Sequence, residues 1–182
     1  MLREASRMSA DYPQPVETGL SKRQVESIAE SVCADLGIEP GGDLLGPLAE
    51  LGGKVHYAEF GSLEESDSGS LLVHGEGNFD IYISVNTSRT RDRFTMAHEL
   101  GHYILHFLYS RQRFGRPEAL QAMRYGHDRA EWEANWFAAA FLMPRDVFRE
   151  GFREHDGSIS RLAETFDVSI AAAEVRARTL NL

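Results

Sequence analysis

His98 and His102 stand four residues apart inside a run whose apolar positions, Phe94, Ala97, Gly101, Ile104, Leu105 and Leu108, recur with the period of a helix from about Ser88 or Thr90 onward. Positions four apart on an α-helix differ by about 40° in direction and about 6 Å in height, so both imidazoles leave one face. A single divalent ion can then meet two neutral ring nitrogens. Glu99 follows the first histidine and completes the pattern His98-Glu99-Leu100-Gly101-His102. In such an H-E-x-x-H pattern the histidines bind zinc and the glutamate takes a proton from a water. Zinc accepts imidazole nitrogen at about 2.0–2.1 Å and needs a third protein ligand if a fourth position is to stay open. Three fixed identities in five residues also arise by chance. Context favours the chemistry: the pattern lies within a helix, and Gly101 sits in its interior at a cost of about 1 kcal/mol relative to alanine, which points to close packing there.

The third ligand is expected from a later helix. Asp128 to Leu142 reads as a strongly apolar helix that stops before Met143-Pro144, because proline can open a helix but not continue one. Glu131 and Asn135 are four apart on it, so a carboxylate able to bind metal and an amide able to orient an imidazole share one face. Glu131 also falls three residues after Asp128, where it could merely close a capping box. Glu133 competes for the ligand role, but it projects about 200° away from Glu131 around the helix, and Glu131 is preferred. His106 shares the face of His102, yet it lies about 12 Å along the axis from His98 and is assigned a structural role. Tyr125 and His127, in the connection before this helix, could stabilise an oxyanion; loop aromatics are more often packing residues, and neither is counted as catalytic.

Around these two helices the chain divides into recognisable segments. Residues 1–19, polar and proline-containing, read as a flexible arm. Ser21 caps a helix with Val25, Ile28, Ala29, Val32, Cys33 and Leu36 on one face, and Gly37 ends it. Asp43 to Leu51 repeats the pattern and Gly52-Gly53 closes it. Val55–Phe60, Ser70–His74 and Phe79–Val85 are rich in β-branched and aromatic residues, with Gly75-Glu76-Gly77-Asn78 as a turn, and read as a small antiparallel sheet. Ser110 to His127, with Arg111, Arg113, Arg116 and Arg124, reads as a surface connection or a lid. Ile159–Phe166 and Ile170–Leu180 form a last helical pair. The fold class is therefore α+β, in one domain, as expected for 182 residues.

Charge and cysteine usage narrow the partners. Lys+Arg total 19 against Asp+Glu 28, a net charge of -9, which repels phosphate backbones and anionic lipid surfaces. No direct nucleic-acid contact is expected, and no membrane contact. The C-terminal pair has the length of a helix-turn-helix, and Arg176 or Arg178 would have to carry any DNA contact, but Ile170-Ala171-Ala172-Ala173-Glu174-Val175 offers few groups able to read bases. Core packing or partner docking is the better reading. One cysteine, Cys33, allows no internal disulfide, no segment is apolar for long enough to span a bilayer, and the first residues lack the apolar run of a secretory signal. The expectation is a cytoplasmic protein. Oligomeric state is not legible.

Phe94-Thr95-Met96-Ala97-His98-Glu99-Leu100-Gly101-His102-Tyr103-Ile104-Leu105-His106, followed by Glu131-Trp132-Glu133-Ala134-Asn135-Trp136-Phe137-Ala138-Ala139-Ala140-Phe141-Leu142-Met143-Pro144, closely resembles the ImmA/IrrE family of metallo-endopeptidases. That resemblance implies a zincin-like fold, with a small antiparallel or mixed sheet packed against an active-site helix and a second ligand helix. It implies Zn2+ held by His98, His102 and Glu131 in the gluzincin manner, with Glu99 as general base. It further implies regulatory proteolysis of a protein substrate, a helix-turn-helix repressor. Residues 20–145 would form the zinc metallopeptidase domain and residues 146–182 a C-terminal helical subregion packed on it. Asp80 to Val85, if it lies at the sheet edge, would pair with the substrate main chain. The alternative is a non-proteolytic zinc-binding sensor or scaffold for a repressor.

Overall fold

A computed structural model describes residues 12–59, 70–115, 117–123 and 128–182. Arg116, Arg124, Tyr125, His127 and the first 11 residues of the arm lie outside the described residues.

Helix α1, Lys22–Asp35, starts from a full capping box between Ser21 and Gln24 and buries Val25, Ala29 and Cys33. The Asp43 carboxylate accepts the amides of Leu45 and Gly46 and so opens α2, Leu45–Glu50. Gly52 closes it at φ +84, where any side chain would run into the carbonyl of Gly77. Strands β1 (Gly53–Ala58), β2 (Ser70–Gly75), β3 (Asn78–Ser84) and β4 (Leu120–Met123) form one sheet in the order β1-β3-β2-β4. The hairpin β2–β3 lays its second strand against β1, so β1 and β3 run parallel while β2 is antiparallel to both β3 and β4. The sheet is mixed rather than purely antiparallel. Phe79, Ile81 and Ile83 alternate into the core.

Two expectations are corrected here. Asp80 to Ser84 of the segment expected to end at Val85 belong to β3, which is hydrogen-bonded on both sides and so offers no edge to a substrate. Ser110 to His127 is not a plain connection: α4 (Ser110–Phe114) and β4 lie within it, and Leu120, Gln121 and Ala122 are buried. Four residues are too few to display a period, which hides β4 from a reading of the sequence.

On the face of the sheet away from the core, Asp80 of β3 bridges its two neighbours. Its Oδ1 lies 2.6 Å from His56 Nε2 on β1 and its Oδ2 lies 2.9 Å from His74 Nε2 on β2. Burial pushes the Asp80 carboxyl up, but hydrogen bonds from His56 and His74 outweigh it and leave it below the ordinary aspartate value. A folded-state value below the unfolded one stabilises the fold above the unfolded value, and this contribution fades as pH falls through the folded value. Denaturant midpoints of wild type and Asp80→Asn, followed downward from about pH 5, should therefore converge below about pH 4. A constant gap between the two curves would exclude the clasp.

Helix α3, Arg89–Gly101, is capped by Ser88 and continues without a break into a wider π-helical segment, His102–Tyr109, whose end is tied by Ser110 Oγ donating to the Leu105 carbonyl. A regular α-helix was expected throughout; π turns of this kind often mark functional sites. Helix α5, Arg129–Leu142, packs against both α1 and α3. Helices α6 (Arg145–Glu154), α7 (Ile159–Phe166) and α8 (Ile170–Thr179) follow. Arg176 of α8 is buried: it donates to Glu26 at 2.7 Å, to Glu30 at 3.2 Å and to the Met143 carbonyl at 2.9 Å. An arginine so enclosed cannot reach a DNA backbone, which takes Arg176 out of any reading of α7 and α8 as a DNA-binding pair and leaves exposed Arg178 alone of the two. No helix among the described residues is long and apolar enough to cross a membrane.

The arm expected over residues 1–19 has a described part that takes neither helix nor strand, yet it is tied down. The Pro13 carbonyl accepts from the Gln121 amide of β4 at 3.0 Å, and Thr18 donates through both its amide and its hydroxyl to Glu133 Oε2 at 2.9 Å.

Candidate metal centre

Helices α3 and α5 approach closely enough to share a site because Gly101 has no side chain: a Cβ there would lie 3.1 Å from Phe137 Cβ of α5. This is the packing that an interior glycine foretells. His98 on α3 and His102, four positions on at the start of the π-helical segment, bring their Nε2 atoms to within 3.1 Å. From α5, Glu131 places Oε2 at 3.2 Å from His98 Nε2 and Oε1 at 3.1 Å from His102 Nε2. The amide of Glu131 is capped by Asp128 at 3.0 Å, but its carboxylate turns to the histidines rather than back to the cap. Asn135 lies one turn on, with Oδ1 at 3.0 Å from His98 Nδ1.

Partner chemistry decides where the protons sit. An amide oxygen only accepts, so His98 donates from Nδ1 to Asn135 and presents a bare lone pair at Nε2. Burial pushes the His102 imidazole down to about 4, against a smaller upward pull from Glu131, so this ring is neutral too. Burial also pushes the Glu131 carboxyl up, yet its close contacts with the His102 and His98 rings outweigh this and hold the group far below the usual carboxylate range. Two neutral imidazoles and a carboxylate thus turn their electron pairs on one point. His98, His102 and Glu131 offer donor atoms that all lie within 4.8 Å of one another. Separations of 3.1–3.2 Å are close to the edge of about 3.3 Å for a tetrahedron with ligands at about 2.0 Å. The donor set and its spacing fit a divalent cation bound by three protein ligands.

Glu99 is 1% exposed and follows His98 directly on α3. Glu133, the competing acid, is fully buried on another side of α5 and meets Thr18, Arg129 and His106 instead. His106 stays out of the three-residue cluster; its Nδ1 faces His102 Nδ1 at 3.0 Å and its Nε2 faces Glu133 Oε2 at 3.2 Å. The i, i+4 spacing of His102 and His106 was visible in the sequence, but nothing local marks Thr18 or Glu133 as its companions. Beside the centre runs a cavity of about 710 Å³, lined by Phe94, Asn135, Trp136, Met143, Ala172 and Val175 among others. Asn135 belongs to both, with its side chain on His98 and its outer face on the cavity.

Residues 51–178 match the profile of the family described as the IrrE N-terminal-like domain. Metallopeptidase ImmA of Bacillus subtilis (strain 168) is 27% identical over 99 residues, which are 54% of this chain and 56% of that protein, so the chain spans little more than half the length of this relative. A solved structure described as a Mycobacterium tuberculosis transcriptional regulator superposes with a TM-score of 0.58 at 18% identity, over 83% of this chain and 45% of the other. At that identity the likeness speaks for the fold alone.

Proposed function

Since this chain belongs to the ImmA/IrrE family of metallopeptidases, we propose that it is a zinc-dependent endopeptidase that cuts a protein substrate, a helix-turn-helix repressor, in a regulatory or stress response. The observation that carries this reading is the meeting of His98, His102 and Glu131, whose ligand atoms all lie within 4.8 Å of one another. Zinc held there supplies a Lewis acid that lowers the pKa of a water towards about 7 and polarises a carbonyl.

The chain's own groups do the rest. Glu99, beside His98, takes the proton of the attacking water and hands it to the leaving amine. Asn135 fixes the ring of His98 so that Nε2 keeps its direction. With β3 inside the sheet, the substrate's place is assigned to the cavity between α3, α5 and α8, whose aromatic wall of Phe94 and Trp136 suits an extended segment with a bulky apolar side chain. The catalytic unit is placed in residues 20–145, with residues 146–182 as a helical subregion against it. A repressor as substrate rests on membership of the family. A cytoplasmic setting is in keeping with Cys33, a buried thiol pushed up to about 11 by burial, with Glu39 and Glu30 adding to it.

Incubating the zinc-loaded protein with helix-turn-helix repressors of the same organism tests the reading. Wild type should release discrete fragments, and Glu99→Gln should keep its zinc while losing about 10²–10⁴ in cleavage rate. Equal cleavage by both proteins would remove Glu99 as the base. Tight binding of a repressor without cleavage by either would favour the sensor alternative.

A further inference from the structure

Behind His102 a chain of buried groups leads away from the centre. His106 Nε2 faces Glu133 Oε2 at 3.2 Å, and His106 Nδ1 faces His102 Nδ1 at 3.0 Å. The same Oε2 accepts the amide and the hydroxyl of Thr18, each at 2.9 Å, while Oε1 accepts from Arg129 Nε at 3.3 Å. Arg129 in turn donates to the Leu20 carbonyl at 2.8 Å. His102, His106 and Glu133 are all buried, and Thr18 nearly so, hence each of these groups depends on protein partners rather than water.

The direction of each bond follows from two facts: a carboxylate accepts and does not donate, and a neutral imidazole carries one ring proton. Glu133 therefore keeps the proton of His106 on Nε2, which leaves His106 Nδ1 as an acceptor. Two ring nitrogens 3.0 Å apart need one proton between them, and it must come from His102. His102 then carries its proton on Nδ1 and presents a lone pair at Nε2, the atom that meets His98 and Glu131. The opposite tautomer would leave two lone pairs facing each other at Nδ1 and a proton pointing into the cluster.

We propose, on the footing of the metal site described above, that Glu133 is a positioning residue that acts through His106 to fix the ligating tautomer of His102, and that Thr18 anchors it from the N-terminal strap. Ligand imidazoles commonly donate their second nitrogen to a carboxylate or a carbonyl, but here the carboxylate stands one imidazole further back. The relay also ties residues 18–20, far away in sequence, to the cation-binding face of α3.

Zinc affinity by competition with a chromophoric chelator, together with the melting temperature of the zinc-free protein, tests the relay on the full chain. His106→Leu and Glu133→Leu remove the acceptors and should each weaken zinc binding about 10–100-fold. His106→Asn puts an oxygen where Nδ1 stood and should recover at least about tenfold relative to His106→Leu, although leucine fills the apolar volume better. Glu133→Gln keeps an accepting oxygen towards His106 and Thr18 and should bind zinc far more tightly than Glu133→Leu. A purely structural role predicts the reverse order, with affinity following melting temperature. That order, or leucine variants that bind zinc like wild type while His98→Ala does not, would overturn the relay and leave the metal site standing. A wild type that binds zinc no better than His98→Ala would remove the metal site and the relay together.

Discussion

Replacement of Glu131 by alanine is expected to lower zinc affinity by more than about 100-fold, beyond the range for loss of a supporting group behind a ligand, and to abolish peptidase activity with it. The carboxylate reaches both Nε2 atoms, at 3.2 and 3.1 Å, from a helix that contributes no other acid to the cluster. Without it two imidazoles remain, and two nitrogens alone do not make a catalytic zinc site. Equilibrium dialysis and chelator competition measure the loss. The fold should survive, because Glu131 lies in the first turn of α5 with its amide still capped by Asp128. Wild-type affinity in this variant would move the third ligand elsewhere and undo the choice of Glu131 over Glu133.

Glu26→Ala should cost about 3–5 kcal/mol of stability, the range for breaking a buried ion pair and stranding one partner. Glu26 is 4% exposed and Arg176 1%, and their 2.7 Å contact joins α1 to α8. Arg145 closes on the other oxygen of Glu26 at 2.9 Å, so one substitution takes a carboxylate partner from two guanidinium groups and leaves Arg176 only Glu30 at 3.2 Å as an acidic partner. A loss of that size is a large part of the roughly 5–15 kcal/mol that holds a domain together. It also bears on function, because α8 carries Ala172 and Val175 into the cavity beside the metal centre. Urea unfolding of Glu26→Ala, Arg176→Met and the double variant Glu26→Met/Arg176→Met resolves the matter. The double variant should lose less than the sum of the singles, since no charge is left buried. Single losses below about 1 kcal/mol, as for exposed pairs, would mean that the cluster is solvated and does not fasten α8.

The candidate metal centre could be read from the chain to the extent that its parts are local. His98 and His102 stand four apart, as do Glu131 and Asn135, so the helical period alone puts each pair on a common face, and Glu99 directly follows the first histidine. Gly101 announced a close neighbour without naming it, and Phe137 proved to be that neighbour. The strands β2 and β3 were also legible, because the turn at Glu76-Gly77 joins them directly.

What escaped depends on partners distant along the chain. Whether β3 lies inside the sheet or at its edge is settled by β1 pairing beside it, and no feature of residues 78–84 distinguishes the two cases. Arg176 reads as a surface cation until Glu26, 150 residues earlier, takes it into the interior. Glu133 reads as the acid that failed to become a ligand until Thr18, 115 residues away, and His106 give it a place. Periodicity is a property of neighbours on one element, so residue order was enough to define the face of the candidate metal centre. Burial, charge pairing and proton position arise between elements, and for those the packed chain had the deciding role.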